Sequence, residues 1–154
     1  MKNKQNYSKK ENILDLLVHR YPFLFVDKIL KFQKHQFLVA KKNIVADEFY
    51  FTGHFPNKKI FPGVLMLESI AQTANLFICK NREKLFIKNV YYLLSVKNAR
   101  FKRFVFPGDI IIVTVFLKKE IKNFFWFDGI IKVDNIIVCS ATIVCGKIDF
   151  LKRV

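Results

Sequence analysis

The sequence predicts an α+β domain in which an antiparallel sheet curls around one long buried helix. Three observations carry that expectation. A single stretch, from about Val64 to Lys80, repeats its apolar residues at helical spacing. Two β-rich runs precede it and four long ones follow it. The gaps between the later runs carry turn signals, "FPGD", "KEIKN" and "VDN". At 154 residues the chain suits one domain with a substantial core, and its 52% hydrophobic content argues against disorder.

Taken in order, residues 1–11 are polar and read as a tail that frays ahead of a single domain over 12–154. "NILDLLVHRYP" suits a short helix capped by Asn12 and stopped before Pro22. "FLFVDKILKFQ" and "FLVAKKNIV" read as a hairpin around the polar "KHQ". In the long helix, Leu67, Ile70, Ala71, Ala74, Phe77 and Ile78 recur on one side, and the small Ser69, Ala71 and Ala74 permit close approach. "KNREK" reads as its exposed end. The remaining strands are "NVYYLLSVKNARF", "DIIIVTVFLKK", "NFFWFDGIIKV" and "IIVCSATIVCGKI". Several are apolar at nearly every position, so both faces need cover, and a second subunit is a natural source of it.

No apolar run is long enough to span a bilayer, and "ILDLLVHR", broken by Asp15 and His19, is not a signal core. A cytoplasmic protein is expected. Cys79, Cys139 and Cys145 are odd in number and lack metal-ligand spacing, so they read as small hydrophobes in a reducing compartment. The net charge of +15 admits a nucleic acid, an acidic protein or an anionic membrane surface as partner, or simply a biased composition rich in Lys, Asn, Ile and Phe.

Chemistry concentrates in "GHFPNKKIFPGVLMLESIAQ". Glu68 sits within the helix, fourteen residues after His54, and its helical neighbours Val64, Leu65, Ala71 and Gln72 are mostly apolar. No other charged residue lies between Gly63 and Cys79, so Glu68 has no solvated face to join. Desolvation would raise its pKa and suit it to act as a general acid. Gly53 permits unusual backbone angles and Pro56 restricts Phe55, which pins His54 on a stiff loop. Its neutral imidazole suits abstraction of a carbon-bound proton. Backbone N–H groups at Gly63 and Val64, at the helix mouth, could stabilise an oxyanion. Base, acid and oxyanion donor without metal ligands suggest proton abstraction beside a carbonyl, then loss of a leaving group.

"HRYPFLFVDKI", "GHFPNKKIFPGVLMLESIAQTA" and "KNARFKRFVFPGD" together resemble the bacterial (3R)-hydroxyacyl-[acyl carrier protein] dehydratases of type II fatty-acid synthesis, in order and over nearly the whole chain after residue 12. The resemblance implies a hotdog fold and a homodimer with each site shared between subunits, commonly assembled as a trimer of dimers. It implies His54 as base, Glu68 as the acid that assists departure of the β-hydroxyl, and the Gly63 N–H polarising the thioester carbonyl, with no metal or organic cofactor. Val18 and the "NKK" loop depart from the family's usual residues without touching these groups. A sister family that also isomerises the new double bond typically carries Asp where this chain has Glu68, which favours plain dehydration.

His19 reads as a structural hydrogen-bonding residue beside its Pro turn. The 18 phenylalanines are mostly core, with some available to line an acyl tunnel. Lys97, Arg100, Lys102 and Arg103 form a basic cluster, with Lys58 and Lys59 near the proposed site. It reads as a solvated face, and the resemblance makes it a candidate dock for an acidic acyl carrier protein. Two rivals stand beside this reading. A thioesterase would release free thiol. A nucleic-acid-binding module would show a steep salt dependence, although the chain has no helix-turn-helix, zinc or RNP-like motif.

Overall fold

The computed structural model describes residues 12–82 and 90–147. The tail expected over 1–11 lies outside the described residues. The Asn12 side chain accepts the Leu14 N–H and starts α1, Ile13–Leu16. This helix is a single turn, shorter than "NILDLLVHRYP" suggested. The Arg20 guanidinium reaches back to the carbonyls of Leu14 and Leu17, and takes the acceptors that a longer helix would have used.

The hairpin forms as β1, Lys28–Gln33, and β2, Phe37–Asn43. Its first strand starts later than the run of β-formers. The Phe25 N–H and the Phe23 carbonyl bond to the Gln72 side chain instead of a neighbouring strand. One turn of 3-10 helix, Phe49–Thr52, then leads to α2, Gly63–Asn81, within a residue of the expected helix at each end. The later runs become β3, Tyr92–Phe101, β4, Ile110–Ile121, β5, Phe124–Val133, and β6, Ile136–Gly146. All six strands join one antiparallel sheet in the order β1-β2-β4-β5-β6-β3.

Alternation sets the core. Leu38 and Ala40, Ile111, Val113 and Val115, Phe125, Phe127 and Ile131, and Ile143 and Cys145 point inward against Ile70, Ala74 and Phe77 of α2. Each large side chain so buried contributes roughly 1.5–3 kcal/mol. Gly129 lies where helix and sheet come closest, and a Cβ there would run into the Ile70 side chain. Cys139 and Cys145 are buried on the same inner face, where desolvation pushes their thiols up to about 11 and about 12.

The end of α2 is not the exposed terminus that "KNREK" suggested. Asn81 is buried and accepts the His35 N–H. The Arg82 guanidinium reaches the Lys122 carbonyl, Asn123, Glu120 and the Tyr91 hydroxyl, and lies over the Phe125 ring. Glu83 and Lys84 lie outside the described residues.

The two sheet edges differ. β1 presents Lys28 and Lys31. β3 is exposed along most of its length, and among its exposed residues are Tyr92, Leu93, Leu94, Val96 and Phe101. It is irregular at Leu93/Ser95 and at Lys97/Arg100, and Asn98 adopts φ 54° in the second irregularity.

Candidate active site

His54 is held by its backbone and by its ring. Its backbone N–H donates to the Tyr50 carbonyl at 3.0 Å, and its carbonyl accepts the Ile60 N–H at 3.1 Å. Its ring Nδ1 lies 2.8 Å from the Ile60 carbonyl oxygen. A carbonyl only accepts, so Nδ1 carries a proton, and in the neutral ring the lone pair is the one on Nε2. The ring stacks on Phe55 at 4.2 Å between centroids, and Phe55 and Lys58 exchange backbone hydrogen bonds across the loop. The stiffness does not come from unusual angles at Gly53, where φ is −118°, a value open to any residue. It comes from this hydrogen-bonded loop.

His54 and Gly63 line one groove of about 790 Å³ with Phe61, Met66, Phe101, Phe104 and Phe106, and with Lys102 and Arg103 at its wall. Pro62 caps α2, and the first intrahelical donors are Leu65 and Met66, which bond to its carbonyl. The Gly63 and Val64 amides therefore precede the helical ladder and stay available at the positive end of its dipole. The bare Gly63 Cα lies against the Phe101 ring, which a Cβ would meet at 3.0 Å.

Glu68 does not line this groove. Its Oε1 accepts from Gln72 Nε2 at 2.9 Å and lies 3.5 Å from His19 Nε2. The apolar surroundings expected from the helix alone are thus corrected by a residue from the N-terminal segment and by the amide one turn on. Gln72 is fully buried, with Phe25 N–H on its oxygen and the Phe23 carbonyl and Glu68 on its nitrogen. Burial holds His19 below the usual histidine range, opposed by the Glu68 carboxylate and assisted by the Arg20 charge. Its Nδ1 is buried and unpartnered among the described residues.

The basic cluster divides. Lys97 pairs with Thr142 and Arg100 with Ser140, which turns both toward the outer face of the sheet. Lys102 and Arg103 follow β3 and line the groove. Lys59 turns away to the Ala46 carbonyl. Among the described residues no three His, Cys, Asp or Glu side chains gather where they could hold a metal ion, and no helix is long and apolar enough to cross a membrane.

Sequence reasoning placed Gln72 beside Glu68 on the helix but did not read it as the hydrogen-bond partner it is. It passed over Lys42, whose place two residues after Ala40 marks it as inward-facing.

Comparison with known proteins gives a consistent picture. The FabA-like domain matches residues 17–142. The chain is 49% identical over 137 residues to the 3-hydroxyacyl-[acyl-carrier-protein] dehydratase FabZ of Yersinia enterocolitica, covering 89% of this chain and 82% of that one. The FabZ of Yersinia pestis matches at the same identity, over 78% of its length. Among solved structures, the dehydratase heterocomplex ApeI:P of Xenorhabdus doucetiae superposes with a TM-score of 0.79 at 14% identity, over 93% of this chain and 95% of that one. The PaaI protein of E. coli gives 0.61 at 15% identity, over 79% of each chain. At these identities the structural matches speak to the fold, which is the hotdog fold.

Proposed function

The chain belongs to the FabZ-type 3-hydroxyacyl-[acyl-carrier-protein] dehydratases, with a FabA-like domain over most of its length, and from that premise we propose the reaction and its residues. The protein removes water from (3R)-3-hydroxyacyl-acyl carrier protein to give the trans-2-enoyl-acyl carrier protein in fatty-acid elongation. The single observation that carries the residue assignment is the 2.8 Å contact of His54 Nδ1 with the Ile60 carbonyl, which puts a proton on Nδ1 and so makes Nε2 the nitrogen that can accept one in the neutral ring.

His54 Nε2 takes a proton from C2 of the acyl thioester. Charge moves onto the thioester oxygen, where the Gly63 N–H stabilises it. Glu68 protonates the C3 hydroxyl, which leaves as water while the C2–C3 double bond forms. Base, acid and donor all come from the chain, and no step calls for a metal or organic cofactor.

The groove contains the base and the amide donor of one chain but not its Glu68. We therefore place Glu68 of a second copy at each groove. The exposed apolar edge of β3, which continues into the groove-lining Phe101 and Phe104, is the side on which that copy docks. Three such dimers form the assembly we propose, in the cytoplasm, with the free Cys79, Cys139 and Cys145 reduced. Lys102 and Arg103 beside the groove, with Lys97 and Arg100 behind them, receive the acidic carrier protein.

The test is dehydration of a carrier-linked (3R)-3-hydroxyacyl substrate by the purified protein, followed by absorbance of the enoyl thioester. His54→Ala and Glu68→Gln should each slow it roughly a hundredfold to ten-thousandfold, the usual worth of a positioned proton transfer. Near-normal turnover by either folded variant would remove that residue from the mechanism.

A further inference from the structure

Lys42 is one of the few charged side chains buried in the described protein, and the dehydration chemistry has no use for it. Alternation along β2 carries it inward after Leu38 and Ala40. Its Nζ lies 2.7 Å from Glu48 Oε1 and 4.0 Å from Asp27 Oδ1. Asp27 is committed elsewhere, since its Oδ2 accepts the Asn43 N–H at 2.7 Å. A lysine is rarely buried without a partner, and Glu48 is the partner here.

Glu48 is also the residue on which the 3-10 turn begins. Its side chain makes no capping bond to that turn and is used on Lys42 instead. Its carbonyl accepts the Phe51 N–H, and the Tyr50 carbonyl in the same turn accepts the His54 N–H. The Tyr50 ring packs on Phe61 at 5.3 Å between centroids. Phe61 follows Ile60, whose carbonyl takes the His54 ring proton. Both hydrogen bonds that His54 donates therefore end on residues braced by the turn that Lys42 ties to the sheet.

We infer that Lys42 and Glu48 are positioning residues for the dehydration: their buried ion pair anchors the 3-10 turn that fixes the aim of His54 and keeps its proton on Nδ1. The inference rests on His54 as the base. Neither side chain touches substrate, and each acts through the loop.

Purified Lys42→Met, Lys42→Arg, Glu48→Gln and Lys42→Met/Glu48→Gln proteins test it by kcat, KM and melting temperature. The ¹⁵N spectrum of the His54 ring, assigned by its disappearance in His54→Ala, provides the fourth readout. Lys42→Met should lose roughly tenfold to a hundredfold in kcat with KM within about twofold, the cost of a misaimed catalytic group. The spectrum should no longer show the pure Nδ1–H form. Lys42→Arg should keep most of both. The double variant removes the orphaned, partly buried carboxylate, so its melting temperature should recover while kcat stays low. A kcat that rises and falls with melting temperature, or an unchanged His54 spectrum in Lys42→Met, overturns the inference. If Lys42→Met does not fold, Glu48→Gln and the double variant decide by the same readouts. Full turnover in His54→Ala would remove the base instead, and the spectra of the charge variants would still report whether the pair sets the ring.

Discussion

Gln72 stands one helical turn beyond Glu68, and its amide nitrogen donates to the glutamate Oε1 across 2.9 Å. The amide cannot rotate away, because its oxygen holds the Phe25 N–H at 2.8 Å and its nitrogen also meets the Phe23 carbonyl. One carboxylate oxygen is thereby fixed in place. Glu68 itself stands outside the groove that His54 and Gly63 of its own chain line.

That arrangement predicts complementation. Inactive His54→Ala and Glu68→Gln subunits, mixed under exchange conditions, should regain activity. At equal mixing half the dimers are mixed, and each mixed dimer holds one intact site of two, so recovery approaches about a quarter of wild type. Absence of recovery after proven exchange would put both groups of a site in one chain.

Charge reversal should separate docking from catalysis. Arg100→Glu with Lys102→Glu changes one cation on the outer face and one at the groove. We expect the KM for carrier-linked substrate to rise roughly tenfold, with added salt reproducing the effect in the unmodified protein. Turnover of a small pantetheine thioester should change little. Equal losses on both substrates would count against carrier docking at this edge.

His19 should make stability pH-dependent. Its pKa in the folded chain is lowered from 6.5, chiefly by burial, so the fold prefers the neutral ring. The associated stability is complete above about 6.5 and is lost as pH falls from there through the lower folded-state value. Melting temperature between pH 7.5 and 5.5, followed in steps of about half a unit, should fall less steeply in His19→Asn than in wild type. Parallel curves would mean that His19 does not titrate with unfolding.

Gly129→Ala should cost about 1–3 kcal/mol, because the new methyl meets Ile70 where β5 and α2 are closest. The measurement is thermal or denaturant unfolding, and Gly129→Ala should cost less in an Ile70→Ala background, where the clashing Ile70 branches are gone, than in wild type. A melting temperature equal to wild type would show that the helix lifts off the sheet without penalty.

The sheet and helix were legible because their periodicities are clean. α2 has helical spacing uninterrupted between Pro62 and Asn81, and β4 to β6 are separated by turns of two polar residues. The Phe23–Phe25 segment misled because its residues favour a strand, while what decides its conformation is a glutamine nearly fifty residues away. The same reason hid the surroundings of Glu68. Helical geometry names its neighbours within the turn, but His19 arrives from another part of the chain. His54 and Gly63 could be picked out by local motif. Their common groove could not, since Phe101 to Phe106 close it from the far end of β3.

The separation of Glu68 from the groove has a kinetic consequence. If a protomer alone has half of the reacting groups, the rate per chain cannot be constant at every enzyme concentration. As the protein is diluted towards the dissociation constant of its dimer, specific activity should decline, and total rate should approach the square of protein concentration. A single-chain site would instead give strict proportionality down to the last detectable molecule. Docking of a second copy on the exposed edge of β3, as proposed, would tie the enzyme's output to its abundance, and an assay by serial dilution would then read assembly from product formed.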